Sequence, residues 1–101
     1  MPSIHVICPN SDNIKPVSKK DCSLFKAGEW TASEDTAKKL IGGKIYFHVK
    51  QILPSHFGGI ITDIERSPIE GRYYFYFTRE ESCIGIKTSK EGWGQERKVL
   101  W

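Results

Sequence analysis

Residues 44–65, "KIYFHVKQILPSHFGGIITDIE", decide the fold. In "KIYFHV" (44–49) Ile45, Phe47 and Val49 fall on one face and Tyr46 and His48 on the other. That period of two is the mark of a strand with one buried face. "GIITDIE" (59–65) is a second apolar run. The connection between them is longer than the about two to five residues of a simple hairpin turn. It carries His48 and His56 on either side of a Leu53-Pro54-Ser55 elbow, then Gly58-Gly59. Glycines at such a place let a ligand or another backbone approach closely.

Upstream, "GEWTASEDTAKKLIGG" (28–43) predicts a helix of about three turns. Thr31 or Ser33 caps its N-terminus, Glu34 and Asp35 suit the positive end of the helix dipole, and Gly42-Gly43 stop it. Ala37, Leu40 and Ile41 form its apolar face. "SIHVIC" (3–8) reads as a first strand, and Pro9 with "NSDNIKPVSKKD" (10–21) as a long surface loop. Downstream, "RYYFYFT" (72–78), "SCIGIK" (82–87) and "RKVLW" (97–101) read as strands. "RSPIEG" (66–71) is a turn, and "TSKEGWGQ" (88–95) a loop with a tryptophan between two glycines. Five or six strands with one short helix imply a single α+β domain over 1–101, either a curled sheet or a partly closed β-barrel. Bulky residues on both faces of "YYFYF" imply a sheet covered on both sides.

The totals narrow the class. At 101 residues there is room for one core. The 39% hydrophobic and 27% charged residues fit a globular chain rather than a disordered one. No apolar run approaches the roughly 20 residues of a membrane span, and "MPSIHVICPN" has neither a basic nor a long apolar segment. The expectation is a cytoplasmic protein with no membrane partner. Cys8, Cys22 and Cys83 are odd in number and lack C-x-x-C spacing, against both a disulfide framework and a paired-cysteine zinc site.

Enzymatic signatures are sparse. Neither glycine pair precedes the Lys-Ser/Thr of a phosphate cradle, and there is no G-x-S-x-G or H-E-x-x-H. His5, His48 and His56 would share a metal only if the fold gathered them. Cys83 with His48 or His56 is a candidate thiol–imidazole pair, and Asp63 with Glu65 a candidate carboxylate pair. A packing cysteine and a solvated strand end are the plainer readings of those residues. No cofactor or metal is called for.

The aromatic residues carry more. Trp30 stands just before the helix cap and Trp93 sits in "GWG", while Trp101 ends an apolar strand and reads as core. Rings so placed suit planar ligands, nucleobases above all. The competing readings are a hydrophobic staple for Trp30 and a plug over one end of the barrel for Trp93. A net charge of +3 permits a nucleic-acid partner without requiring one. Lys15, Lys19, Lys20 and Lys26 cluster before the helix, and Lys87, Lys90, Arg97 and Lys98 near the C-terminus. If those ends meet, they form a positive rim.

The order of features over residues 28–65 resembles the PUA-like superfamily, particularly its EVE, YTH and ASCH branches. "GEWTAS", a short helix, "LIGGKIYFHV" and "SHFGGIITDI" follow one another as in those proteins. The resemblance implies a small barrel that reads nucleic acid by holding a base, modified or not, between aromatic walls. By position Trp30 would be one wall, with Tyr46, His48, Ser55, His56, Gly58 and Gly59 as floor and lip. Trp93 would be the second wall on its place in a late loop, and Lys19, Lys20, Arg97 and Lys98 would meet phosphate. The expected function is therefore a module that binds RNA, DNA or a nucleotide. The alternatives are a small nucleotide-processing hydrolase on the same scaffold, and a protein-interaction module or homo-oligomer with exposed aromatics.

Overall fold

The fold was read from a computed structural model, which describes residues 2–8, 14–17, 24–50, 53–88, 93 and 97–100, the side chains of 29 and 31 excepted. Seven strands and one helix follow the order β1 (Ser3–Ile7), β2 (Ile14–Pro16), β3 (Leu24–Thr31), α1 (Glu34–Leu40), β4 (Lys44–His48), β5 (Ser55–Arg66), β6 (Arg72–Arg79) and β7 (Arg97–Leu100). A short 3-10 turn, Glu81–Cys83, lies between the last two strands.

The strands form one sheet in the order β2-β3-β6-β5-β4-β1-β7. Every pair is antiparallel except β1 with β4. A parallel pair needs a long crossover, and β2, β3 and α1 supply it. The order is linear, so the sheet is curled rather than closed into a barrel.

Aromatic packing produces the curl. Trp30 on β3 lies 5.7 Å from Phe47 on β4, ring centre to ring centre, although β6 and β5 stand between their strands. In a flat sheet β3 and β4 would be about 14 Å apart. Phe25, Phe57 and Phe77 fill the interior, with Phe47–Phe77 at 5.2 Å and Phe25–Phe57 at 5.1 Å. Ile4, Val6, Ile45, Ile61 and Phe75 complete the core.

Ser33 caps α1 by accepting the Thr36 N–H at 3.1 Å, and Ala37 and Leu40 are fully buried. The helix has seven residues, two turns rather than three, because the chain leaves helical geometry at Ile41 and turns left-handed at Gly42 (φ +88°). Ile41 is consequently 41% exposed instead of sharing the buried face. The Gly42 N–H donates to Ile61 O and the Ile61 N–H to Gly43 O, both at 2.8 Å, which ties the helix end to β5.

Four other expectations change. Within the stretch 10–21, read as a loop, Ile14–Pro16 is a strand paired with β3. Residues 24–31 form a strand that alternation did not reveal, because a register shift between Ala27 and Trp30 breaks the period while both side chains turn inward. Residues 82–87 are not a strand: the 3-10 turn occupies their start and Gly85 turns the backbone at φ +83°. Finally, β5 begins at Ser55, so His56 and both glycines lie within a strand and the connecting loop is short.

Candidate functional site

Alternation on β1 and β4 sends Ile4, Val6, Ile45 and Phe47 into the core and leaves His5, Tyr46 and His48 on the reverse face. Register aligns a row across that face: Lys98 opposite His5, His5 beside Tyr46, and Tyr46 opposite Gly58. His5 and His48 are nevertheless 3% and 0% exposed. The ring of His5 stacks on Tyr46 at 4.5 Å with 16° between planes. Trp93 stands edge-on to both imidazoles, 6.2 Å from His5 and 5.6 Å from His48.

Hydrogen bonds set the tautomers of the two histidines. Nδ1 of His48 lies 2.8 Å from the Leu53 carbonyl, which can only accept, so this nitrogen carries the proton. In the neutral ring Nε2 is then an acceptor, and it receives the Nδ1–H of His5 at 2.8 Å. His5 is left with an unprotonated Nε2. Both rings stay neutral at physiological pH. Burial, then the neighbouring His48 and Lys98, bring the His5 pKa from 6.5 to about 4. Burial also lowers that of His48, partly offset by its bond to Leu53.

Tyr46 and Cys83 adjoin this pair. Burial raises the Tyr46 hydroxyl, helped by the nearby thiol, and burial raises Cys83 despite the pull of Lys44. Cys83 is fully buried and held as a thiol, so it is a packing residue rather than an activated nucleophile. Trp93 presents a different feature: its indole N–H is buried without a hydrogen-bond partner among the described residues. Buried donors are rarely left unmet.

The remaining sequence-predicted residues fall elsewhere. Trp30 is 2% exposed and packs on Phe47, on the opposite face of β4 from Tyr46, so it forms no wall facing Trp93. Ser55 is a bracket: its hydroxyl donates to Cys83 O and accepts the Ile86 N–H at 3.0 Å, fastening residues 83–86 to the start of β5. His56 Nε2 donates to Cys8 O at 2.8 Å and joins β5 to the end of β1. Gly58 and Gly59 do permit close approach, but of the chain's own backbone. A Cβ on Gly58 would run into the Ile45 carbonyl oxygen, and one on Gly59 would lie 2.7 Å from the Thr78 carbonyl carbon.

Alternation also separates the expected phosphate contacts. Lys98 lies beside His5 and is 4% exposed, whereas Arg97 is opposite Val6 on the core side. Lys19, Lys20 and Trp101 lie outside the described residues. Lys15 and Lys26 belong to β2 and β3, at the opposite end of the strand order from Lys98 on β7, and Lys90 lies outside the described residues. Asp63 accepts the backbone N–H of Ile64, while Glu65 accepts from Tyr76 and Lys26 on the exposed sheet surface. These carboxylates share no ligand with each other or with the histidines.

His5 is the member of the site that reading along the chain did not assign to it. Its only signal was its place on the polar face of "SIHVIC", and pairing with a strand 43 residues away was not legible there. Among the described residues no three His, Cys, Asp or Glu side chains are placed to hold a metal, and no helix is long and apolar enough to cross a membrane. Comparison with known proteins returns no match among family models, curated proteins or solved structures.

Proposed function

We propose that this chain is a binding module for a nucleobase, free in a nucleotide or carried by RNA or DNA, at the site formed by His5, Tyr46, His48, Lys98 and Trp93. The observation that carries the reading is the buried indole N–H of Trp93, which has no hydrogen-bond partner among the described residues and stands against an aromatic stack. A planar ligand bearing an acceptor would meet that donor and lay its π-face on the rings, an arrangement every base can adopt. Lys98 adds positive charge beside His5. Asp63 and Glu65 are engaged elsewhere and Cys83 is held as a thiol, which favours binding over catalysis. This reading departs from the PUA-like expectation: among the described residues Trp93 alone of the tryptophans stands by the histidines, and Trp30 is core.

Titration of intrinsic fluorescence with nucleosides and short single-stranded oligonucleotides, at low and high salt, tests this. Saturable quenching is expected to survive added salt and to disappear in Trp93→Ala, because stacking is not counterion release. Quenching that salt abolishes, or none with any ligand, overturns the proposal.

A further inference from the structure

The histidine pair spans the parallel seam of the sheet, and its chemistry makes that seam sensitive to acid. In the strand order β1 joins the remaining strands through β4 alone, and β7 joins them through β1. Three hydrogen bonds of 2.8 Å fasten the seam: His5 Nδ1 to His48 Nε2, the Cys8 N–H to His48 O, and His56 Nε2 to Cys8 O. Two of them end on His48, whose Nδ1 also donates to Leu53 O.

The pair has no place for charge. With His48 Nδ1 held by Leu53 O, His5 Nδ1 and His48 Nε2 share one hydrogen between them. Charging both rings puts an N–H on each of those atoms, donor against donor. Charging one ring leaves a cation on a residue no more than 3% exposed. Among the described residues the titratable groups that act on the pair or touch it are Lys98 on β7, His56 on β5 and Tyr46 on β4, with Cys83 of the 3-10 turn beside Tyr46. None of these is a carboxylate that would balance the charge. We propose that the His5–His48 bond is a clasp opened by acid, proton uptake by the two rings peeling β1 and the attached β7 from β4 while β5, β6 and β3 stay paired.

This inference is independent of what the site binds. An exposed imidazole takes up a proton near pH 6.5, so below that value the open seam binds protons that the closed one refuses. Opening then gains up to about tenfold per pH unit for each ring. For His5 the gain continues to about pH 4, where the closed ring also charges. Peeling withdraws Ile4 and Val6 from the core, which keeps the opening rare at neutral pH. It also takes His5 off Tyr46 and so dismantles the reverse-face site.

Hydrogen exchange of the full chain at pH 7 and pH 5, corrected for the pH dependence of intrinsic exchange, tests the clasp strand by strand. Amides of β1 and β7 are expected to be less protected than those of β5 and β6 at both pH values. Their protection should fall by about twentyfold or more between pH 7 and pH 5. His5→Asn still donates to His48 but does not titrate, so the fall should shrink to the share of His48. Equal protection of β1 and β5 means that only complete unfolding exposes the pair, and overturns the proposal. So does a fall that is absent, or one that is undiminished in His5→Asn.

Discussion

Acidification from pH 7 to pH 5 tests the buried histidine pair. An unfolded histidine takes up a proton near pH 6.5, whereas His5 in the fold does so only near pH 4, because burial, His48 and Lys98 oppose its charge. Between those values the unfolded state binds more protons, so stability is full above pH 6.5 and is lost as pH falls toward 4. The loss accrues at up to about 1.4 kcal/mol per pH unit, or about 2 kcal/mol between pH 7 and pH 5 and about 3 kcal/mol in all. His48 shifts in the same direction and adds to it. Among the described residues the charged or titratable groups around the pair are Lys98 on β7, Tyr46 on β4 and His56 on β5, with Cys83 next to Tyr46. The tyrosine and the thiol, both shifted upward by burial, stay neutral across this window.

Urea denaturation at both pH values measures the difference directly, since a domain of this size unfolds in one cooperative step. His5→Asn supplies the control. Its carboxamide nitrogen takes the place of Nδ1 and still donates to His48, but it does not titrate. The variant is expected to start less stable, having lost the stack on Tyr46, and to lose markedly less between pH 7 and pH 5. An unchanged unfolding free energy in the parent protein, or an equal loss in His5→Asn, would refute a neutral, proton-excluding pair.

Three further outcomes are expected from the packing. Gly59→Ala drives a methyl into the Thr78 carbonyl and the Phe77 ring, and should cost at least about 2 kcal/mol in urea denaturation. Ser55→Ala leaves Cys83 O and the Ile86 N–H without their partner; it should cost about 1–3 kcal/mol and raise hydrogen exchange at residues 83–86 before the rest of the sheet. Trp30→Ala empties the space against Phe47, so it should cost about 3–5 kcal/mol of stability. Where Trp30→Ala still folds, nucleoside affinity should be unchanged, which separates its role from that of Trp93.

Local chemistry made much of the architecture legible. Alternation in "KIYFHV" and "RYYFYFT" marks two strands of the core, and the cap at Ser33 with the glycines at 42 and 43 brackets the helix. These signals are local because backbone geometry allows few periods and few ways to begin and end an element. Their limits show where the ladder is irregular. The shift between Ala27 and Trp30 disguised β3, and the one between Phe47 and His48 hid the true start of β5.

The candidate site depended on partnership rather than period. Alternation places His5 on one face of β1 and His48 on one face of β4, but a period of two says nothing about which strands become neighbours. Only the parallel pairing of β1 with β4 brings those rings within hydrogen-bonding distance, across 43 residues of chain. The curl of the sheet decides in the same way that Trp30 is enclosed by Phe47 while Trp93 stands over the histidines. Strand identity is written in neighbouring residues. Strand adjacency and the curl come from burying aromatic surface contributed by the whole chain.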